Sequence, residues 1–299
     1  MINALQQVKN DIKSVFESNG ITVTTGMTGY ANYIMNINSK KPITIGFGYS
    51  GFEVFDCPNL YPETCQEMFR YCQELTSVTL FDTSIATSMN GMFRLCRKIT
   101  SVPQFNTVKV RDMSYMFDGC SSLQTVPQFN TVNVRDMSYM FQNCVSLTTV
   151  PQFDTSSVTT MQRMFYDCSS LTTVPQFDTS KVTSFNSTFY NCTSLTSIPL
   201  LDAGKVTIAY NMLVNCSALT TIGGFKDFGK VSSLTGNGIT LAYCPNITRE
   251  SIVNIFNNLY DRATAGYSIQ PITIGSSNVS KITEDDIAIA TNKGWRISN

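Results

Sequence analysis

Seven cysteines, Cys72, Cys96, Cys120, Cys144, Cys168, Cys192 and Cys216, recur every 24 residues without a slip. Whole segments recur with them, and a fixed period of this size is the signature of a solenoid in which each repeat is one turn of the chain. The period bears on function too. A solenoid is chiefly a scaffold that displays one side chain per turn in rows, so the question moves from catalysis to surfaces.

The unit Leu147 to Ser170 reads LTTVPQFDTSSVTTMQRMFYDCSS. Leu147 and Val150 sit in a β-favouring context that Pro151 ends, since proline cannot donate to a ladder. Asp154-Thr155 is a turn pair whose side chains can bond their own backbone. Val158 to Met161 reads as a second short strand, followed by about one helical turn through Cys168. The apolar columns predict stacking: Phe81, Phe105, Phe129, Phe153 and Phe177 close on Leu201, and Met92-Phe93, Met116-Phe117, Met140-Phe141 and Met164-Phe165 loosen to Thr188-Phe189 and Met212-Leu213. One repeat cannot bury these residues alone, whereas neighbours about 4.8 Å apart share a continuous core.

The string FDTSSVTTMQRMFYDCSSLTTVPQFDTSKVTSFNSTFYNCTSLTSIP resembles the BspA-like leucine-rich repeat family, in the form with a D-T-S-x-V-T-x-M-x-x-M-F-x-x-C-x-S-L unit, over about residues 66–222. The resemblance implies a leucine-rich-repeat-type α+β solenoid, with short parallel β ladders and short helical turns, and surface roles such as adhesion. It specifies no ligand. Two units depart from the pattern, with Asn106-Thr107-Val108 and Asn130-Thr131-Val132 where Asp-Thr-Ser is expected. The stretch Leu219 to Cys244 is lengthened and glycine-rich.

The ends differ, which gives three expected parts: an N-terminal helical docking or capping module over 1–50, the solenoid over 51–244 and an α/β cap over 245–299. Leu5, Val8, Ile12 and Val15 form an amphipathic stripe that Gly20 ends, and a second short helix is expected around Tyr30 to Ile37. Residues 51–74 look like a degenerate first repeat. In the cap, Thr248 starts a helix to about Tyr260, Pro271 to Ile274 is a strand, Thr283 starts another helix, and Trp295 to Ile297 closes as a strand. The segment PITIGSSNVSKITEDDIAIATNKGWRIS is similar to the closing segment of leucine-rich repeat proteins encoded by gut bacteria and their phages.

Lys plus Arg equals Asp plus Glu at 21 each, which leaves no basic field for nucleic acid. The chain has no histidine, the commonest general acid/base and metal ligand. With no nucleophile–base pair and no phosphate loop, the reading is that the chain is not an enzyme and needs no cofactor and no metal. No stretch approaches the roughly 18 apolar residues that span a bilayer, so no membrane insertion is expected. The N-terminus lacks the basic start and apolar core of a secretory signal. The cysteine column is read as reduced core, with Cys57 and Cys65, off register, the pair best placed for a bridge. The column Asp82, Asn106, Asn130, Asp154, Asp178 and Asp202 would suit calcium, but turn capping explains it without a metal.

Binding rows remain. Gln104, Gln128, Gln152 and Gln176 form an expected exposed ladder; Tyr115, Tyr139 and Arg163 share one register, and Tyr166 and Tyr190 another. Tyrosine suits protein and sugar contacts alike. These readings converge on a structural or host-attachment protein of a bacteriophage particle, located on the virion. Its terminal modules would dock on other virion proteins, and its solenoid would face a host surface glycan or protein. A bacterial cell-surface adhesin is the alternative, and the choice between a monomer and a trimeric homo-oligomer stays open.

Overall fold

The computed structural model describes residues 60–232, 234 and 238–299, together with strands β1 (Ile43–Thr44) and β2 (Val54–Phe55). The stripe from Leu5 to Val15, the helix expected near Tyr30 and Cys57 lie outside the described residues.

Coil lies on coil in parallel. Bridges join Ser88 to Asp112, Asp112 to Asp136, Asp136 to Thr160, Thr160 to Ser184 and Ser184 to Ile208, each 24 residues on. Towards the N-terminus, β1 pairs with β3 (Pro62–Thr64) and β2 with β4 (Ser77–Val78). Further on, β5 (Ser197–Ile198) and β6 (Leu201–Asp202) pair with β7 (Thr221–Ile222) and β8 (Phe225–Lys226). The architecture is a repeat solenoid with short parallel ladders.

The segment expected as a helical turn is a run of tight turns. Alternate N–H groups serve two purposes. Those of Met164, Tyr166 and Cys168 close turns onto the carbonyls of Met161, Arg163 and Phe165 (3.1, 3.2 and 3.2 Å). Those of Arg163, Phe165 and Asp167 donate to Asn186, Thr188 and Tyr190 on the next coil (2.9, 2.9 and 2.8 Å). An α-helix spends every N–H internally; here half remain free to join the coils. The alternation needs a left-handed residue every fourth position, as at Arg163 (φ 52°) and Asp167 (φ 58°). Each such non-glycine residue costs roughly 1–2 kcal/mol, which the inter-coil bonds and core burial offset.

The core is columnar. Phe93, Phe117, Phe141, Phe165 and Phe189 stack with centroids 5.7, 5.6, 5.7 and 5.8 Å apart and ring planes within 6° of parallel. Phe81, Phe105, Phe129, Phe153 and Phe177 are buried beside them. The cysteine column has a polar use. Cys120, Cys144, Cys168 and Cys192 each donate S–H to the phenylalanine carbonyl 27 residues earlier, at 3.0–3.1 Å. Where Thr188 replaces methionine, its buried hydroxyl donates to the Met161 carbonyl at 3.0 Å.

Past β8 the period ends. Strand β9 (Ile239–Thr240) pairs with β10 (Gln270–Thr273), which pairs with β11 (Trp295–Ser298). Helix α1 (Arg249–Asn258) is capped by Thr248 and buries Ile252, Ile255 and Phe256. The short α2 (Ser276–Val279) precedes α3 (Glu284–Thr291), whose Thr283 and Asp286 form a reciprocal capping box. Arg249 grips Asp286 through two bonds of 2.9 and 2.8 Å, which ties α1 to α3. Lys293 donates to three carbonyls near the end of α1, where a cation suits the helix dipole. Fully buried Arg262 donates to the Ser268, Gly229 and Val231 carbonyls and fastens this cap to the solenoid.

Candidate binding surface

The left-handed turns decide what the surface shows. Tyr115 (φ 57°), Tyr139 (φ 60°) and Arg163 occupy the same strained position on successive coils, so their side chains leave the backbone in parallel. Tyr115 and Tyr139 stack face to face with centroids 4.3 Å apart, and Tyr166 and Tyr190 do the same at 4.6 Å. Arg163 joins the pairs, its guanidinium carbon 5.7 Å from the Tyr139 centroid and 5.1 Å from that of Tyr166. Arg94 covers the far face of Tyr115 at 4.7 Å and is held by the buried Asp118 at 2.9 Å. The two tyrosine registers of the sequence therefore form one continuous cationic–aromatic row.

This geometry limits the row's chemistry. A sugar ring stacks on an open aromatic face, and the faces of Tyr115, Tyr139 and Tyr166 are taken up by neighbouring rings and by the guanidinium groups. Ring edges and phenol groups remain. Burial, then Tyr139, raises the pKa of Tyr115, and burial, then Asp167, raises that of Tyr166, so both phenols stay protonated donors at neutral pH. Tyr139 Oη accepts from Gln162 at 2.8 Å. Arg163 Nε is buried without a hydrogen-bond partner, and no carboxylate among the described residues forms an ion pair with this guanidinium.

The glutamine ladder is exposed and half committed. Each Nε2 of Gln104, Gln128, Gln152 and Gln176 donates to the carbonyl 24 residues on, at 2.8, 2.7, 2.6 and 2.6 Å. The amide donor thus serves the stack. A shallow groove of about 380 Å³ runs between this ladder and the Asp154–Asp178 row, past Gln152, Phe153 and Gln176.

The aspartate and asparagine column caps turns. Oδ1 of Asp82, Asn106, Asn130, Asp154, Asp178 and Asp202 accepts the N–H two residues on. The Ser156 hydroxyl, then its N–H, holds the Asp154 carboxyl below the usual range, and the Ser180 N–H does the same for Asp178. Among the described residues no group of three or more His, Cys, Asp or Glu is arranged to hold a metal ion. None of their helices is long and apolar enough to cross a membrane. Burial pushes the thiols of Cys65, Cys96, Cys120, Cys144, Cys168 and Cys192 up, Cys65 to about 12, so these are not nucleophiles at neutral pH.

Sequence reasoning missed Arg94 and Asp118. Both sit in the column of Tyr166 and Tyr190, 24 residues apart, and Arg94 reaches Tyr115 diagonally between coils, where reading one column at a time does not look.

The family described as "Mycoplasma protein of unknown function, DUF285" matches residues 63–150 and 124–225. The family described as "BspA type Leucine rich repeat region (6 copies)" matches residues 186–287. No curated protein matches. Among solved structures, a leucine-rich repeat protein from Bacteroides ovatus is 15% identical over 83% of this chain and 67% of its own, with a TM-score of 0.28. An internalin from Listeria monocytogenes is 14% identical over 77% of this chain and 68% of its own, with a TM-score of 0.23.

Proposed function

This chain belongs to the DUF285 family and to the BspA-like leucine-rich repeat proteins, and from that premise we propose that it is a non-enzymatic binding protein that presents its cationic–aromatic row to a protein partner. Proteins of this repeat type are in general protein-binding or adhesion proteins and are typically surface-associated. One observation carries the reading: the row from Arg94 through Tyr115, Tyr139, Arg163 and Tyr166 to Tyr190 is held rigid by mutual stacking while its edges stay solvent-accessible. Side chains already ordered lose little entropy when a partner arrives, which is what a contact surface gains from preorganisation. Gln104, Gln128, Gln152 and Gln176 are a second strip, with outward Oε1 acceptors.

The placement we propose is the surface of a bacteriophage particle, as a structural or host-attachment appendage. Residues 1–50 and the C-terminal cap over 245–299 would dock on other virion proteins, with the chain there as a monomer or as a homotrimer. The likeness of the closing segment to repeat proteins encoded by gut bacteria and their phages is compatible with this. A bacterial cell-surface adhesin is the second reading, favoured by the match to a family of mycoplasma proteins.

Mass spectrometry of purified particles tests the placement: the chain is expected among the virion proteins, and its absence from every particle while it is found on bacterial cells would shift it to the adhesin reading. Binding is tested by adsorbing purified protein to candidate host cells, with a Tyr139→Ser, Arg163→Gln variant alongside. The variant is expected to lose adsorption. Unchanged adsorption removes the row from the site.

A further inference from the structure

Two adjoining coils break the repeat, and their breaks fall together. Residues 106–111 read Asn-Thr-Val-Lys-Val-Arg and residues 130–135 read Asn-Thr-Val-Asn-Val-Arg. The corresponding stretches at 154–159 and 178–183 read Asp-Thr-Ser-Ser-Val-Thr and Asp-Thr-Ser-Lys-Val-Thr. In both early coils an acid becomes an amide, a serine becomes valine and a threonine becomes arginine.

Those three changes add no bond to the fold; within the same stretch only Asn133 does, its Nδ2 donating to the Val108 carbonyl at 2.8 Å. Asn106 and Asn130 cap their turns as the aspartates do, with longer bonds of 3.2 and 3.3 Å against 2.9–3.0 Å. The buried Thr107 and Thr131 still bridge to the next coil at 2.8 Å. Val108 and Val132 each stay 42% exposed. Arg135 N–H bonds the Arg111 carbonyl at 2.9 Å, so two exposed cations sit on adjacent coils, where like charges side by side are destabilising. Among the described residues no carboxylate forms an ion pair with Lys109, Arg111 or Arg135. The nearest acids in sequence, Asp112 and Asp136, direct Oδ1 to the N–H and hydroxyl of Ser114 and Ser138.

We infer that Val108, Lys109, Arg111, Val132 and Arg135 form a docking patch for an acidic, partly apolar segment of a protein partner. The inference rests on the protein-binding reading above and gives that reading a second face and a partner chemistry. Charge complementarity selects the carboxylates. Arg111 and Arg135 start from backbones one coil spacing apart, about 4.8 Å, so their two long side chains can converge on one carboxylate. The paired valines select a polypeptide over an anionic glycan, because they offer area to an apolar side chain and nothing to a sulfate or a sugar hydroxyl.

The test uses the full chain and variants that restore the repeat, which keeps folding intact: R111T/R135T and V108S/V132S. A fluorescein-labelled peptide rich in glutamate and leucine is titrated by anisotropy, beside the same peptide with glutamine for glutamate, and beside labelled heparin. The glutamate peptide is expected to bind about tenfold more tightly than the glutamine peptide, and R111T/R135T to lose that margin. V108S/V132S should weaken binding several-fold. Equal binding by the wild type and R111T/R135T overturns the patch, as does heparin binding without peptide binding, or no binding of either. Peptide binding that persists while the wild type fails to adsorb to any cell or particle would sink the broader reading instead.

Discussion

Raising the pH should unfold this protein early, through its buried thiols. Burial raises the pKa of Cys65, Cys96, Cys120, Cys144, Cys168, Cys192 and Cys216, with Cys65 going from 9.0 to about 12; for Cys216 a bond with Cys244 comes first and burial second. The unfolded chain releases these protons near pH 8.5 while the folded chain keeps them. Below that pH both states are protonated and stability is whole. Between about 9 and 12 the unfolded state holds fewer protons, so stability falls as pH rises. Each thiol removes about 1.4 kcal/mol per pH unit. Seven together remove about 10 kcal/mol per pH unit, so one unit is comparable with the 5–15 kcal/mol that holds a typical domain. Alkaline unfolding is therefore expected near pH 10. The assay is urea unfolding from pH 7.5 to 10.5 under reductant, followed by far-UV circular dichroism and by the single tryptophan, Trp295. Cys144→Ala should be destabilised at pH 7.5 but approach the wild type as pH rises, because it lacks one thiol's share of the slope. Wild-type stability that stays flat to pH 10.5, or parallel curves for the two proteins, would refute the reasoning.

Two further perturbations separate the core from the cap. Phe141→Ala removes a ring stacked on both sides and should cost about 3–5 kcal/mol, with Phe141→Leu costing far less; in a nearest-neighbour array, circular dichroism and Trp295 fluorescence should then report separate transitions. Thr283→Ala abolishes the capping box and should cost about 1 kcal/mol, read as faster amide exchange in α3 with the solenoid coils unaffected.

Period and polarity told most of the fold because each stacked column is a statement about one kind of residue. Phe105, Phe129 and Phe153 had to be inside, and they are buried together. Thr248 and Thr283 announced helix starts through side-chain chemistry that acts within three residues, and both caps form. The run from Met161 to Cys168 was misjudged for a physical reason. At the equivalent positions Asn143, Asp167, Asn191, Asn211 and Asn215 suit a left-handed backbone, but Leu95, Tyr115, Tyr139 and Arg163 do not, and there bonds to a coil 23 residues away stabilise it.

The same non-local cause explains what was legible in the surface. Columns place Tyr115 above Tyr139, but no column reveals that Arg163 joins two tyrosine pairs or that each glutamine donates an amide N–H to the coil ahead. Stacking consumes donors along the solenoid axis: glutamine amides donate to carbonyls 24 residues on, and the Thr172, Thr196 and Thr220 hydroxyls to carbonyls 24 residues back. What faces water in those rows is mainly lone pairs. Against that acceptor-rich background, a partner bearing carboxylates finds few donors, and the free cations at Arg111 and Arg135 stand out as the places where such a partner can be held.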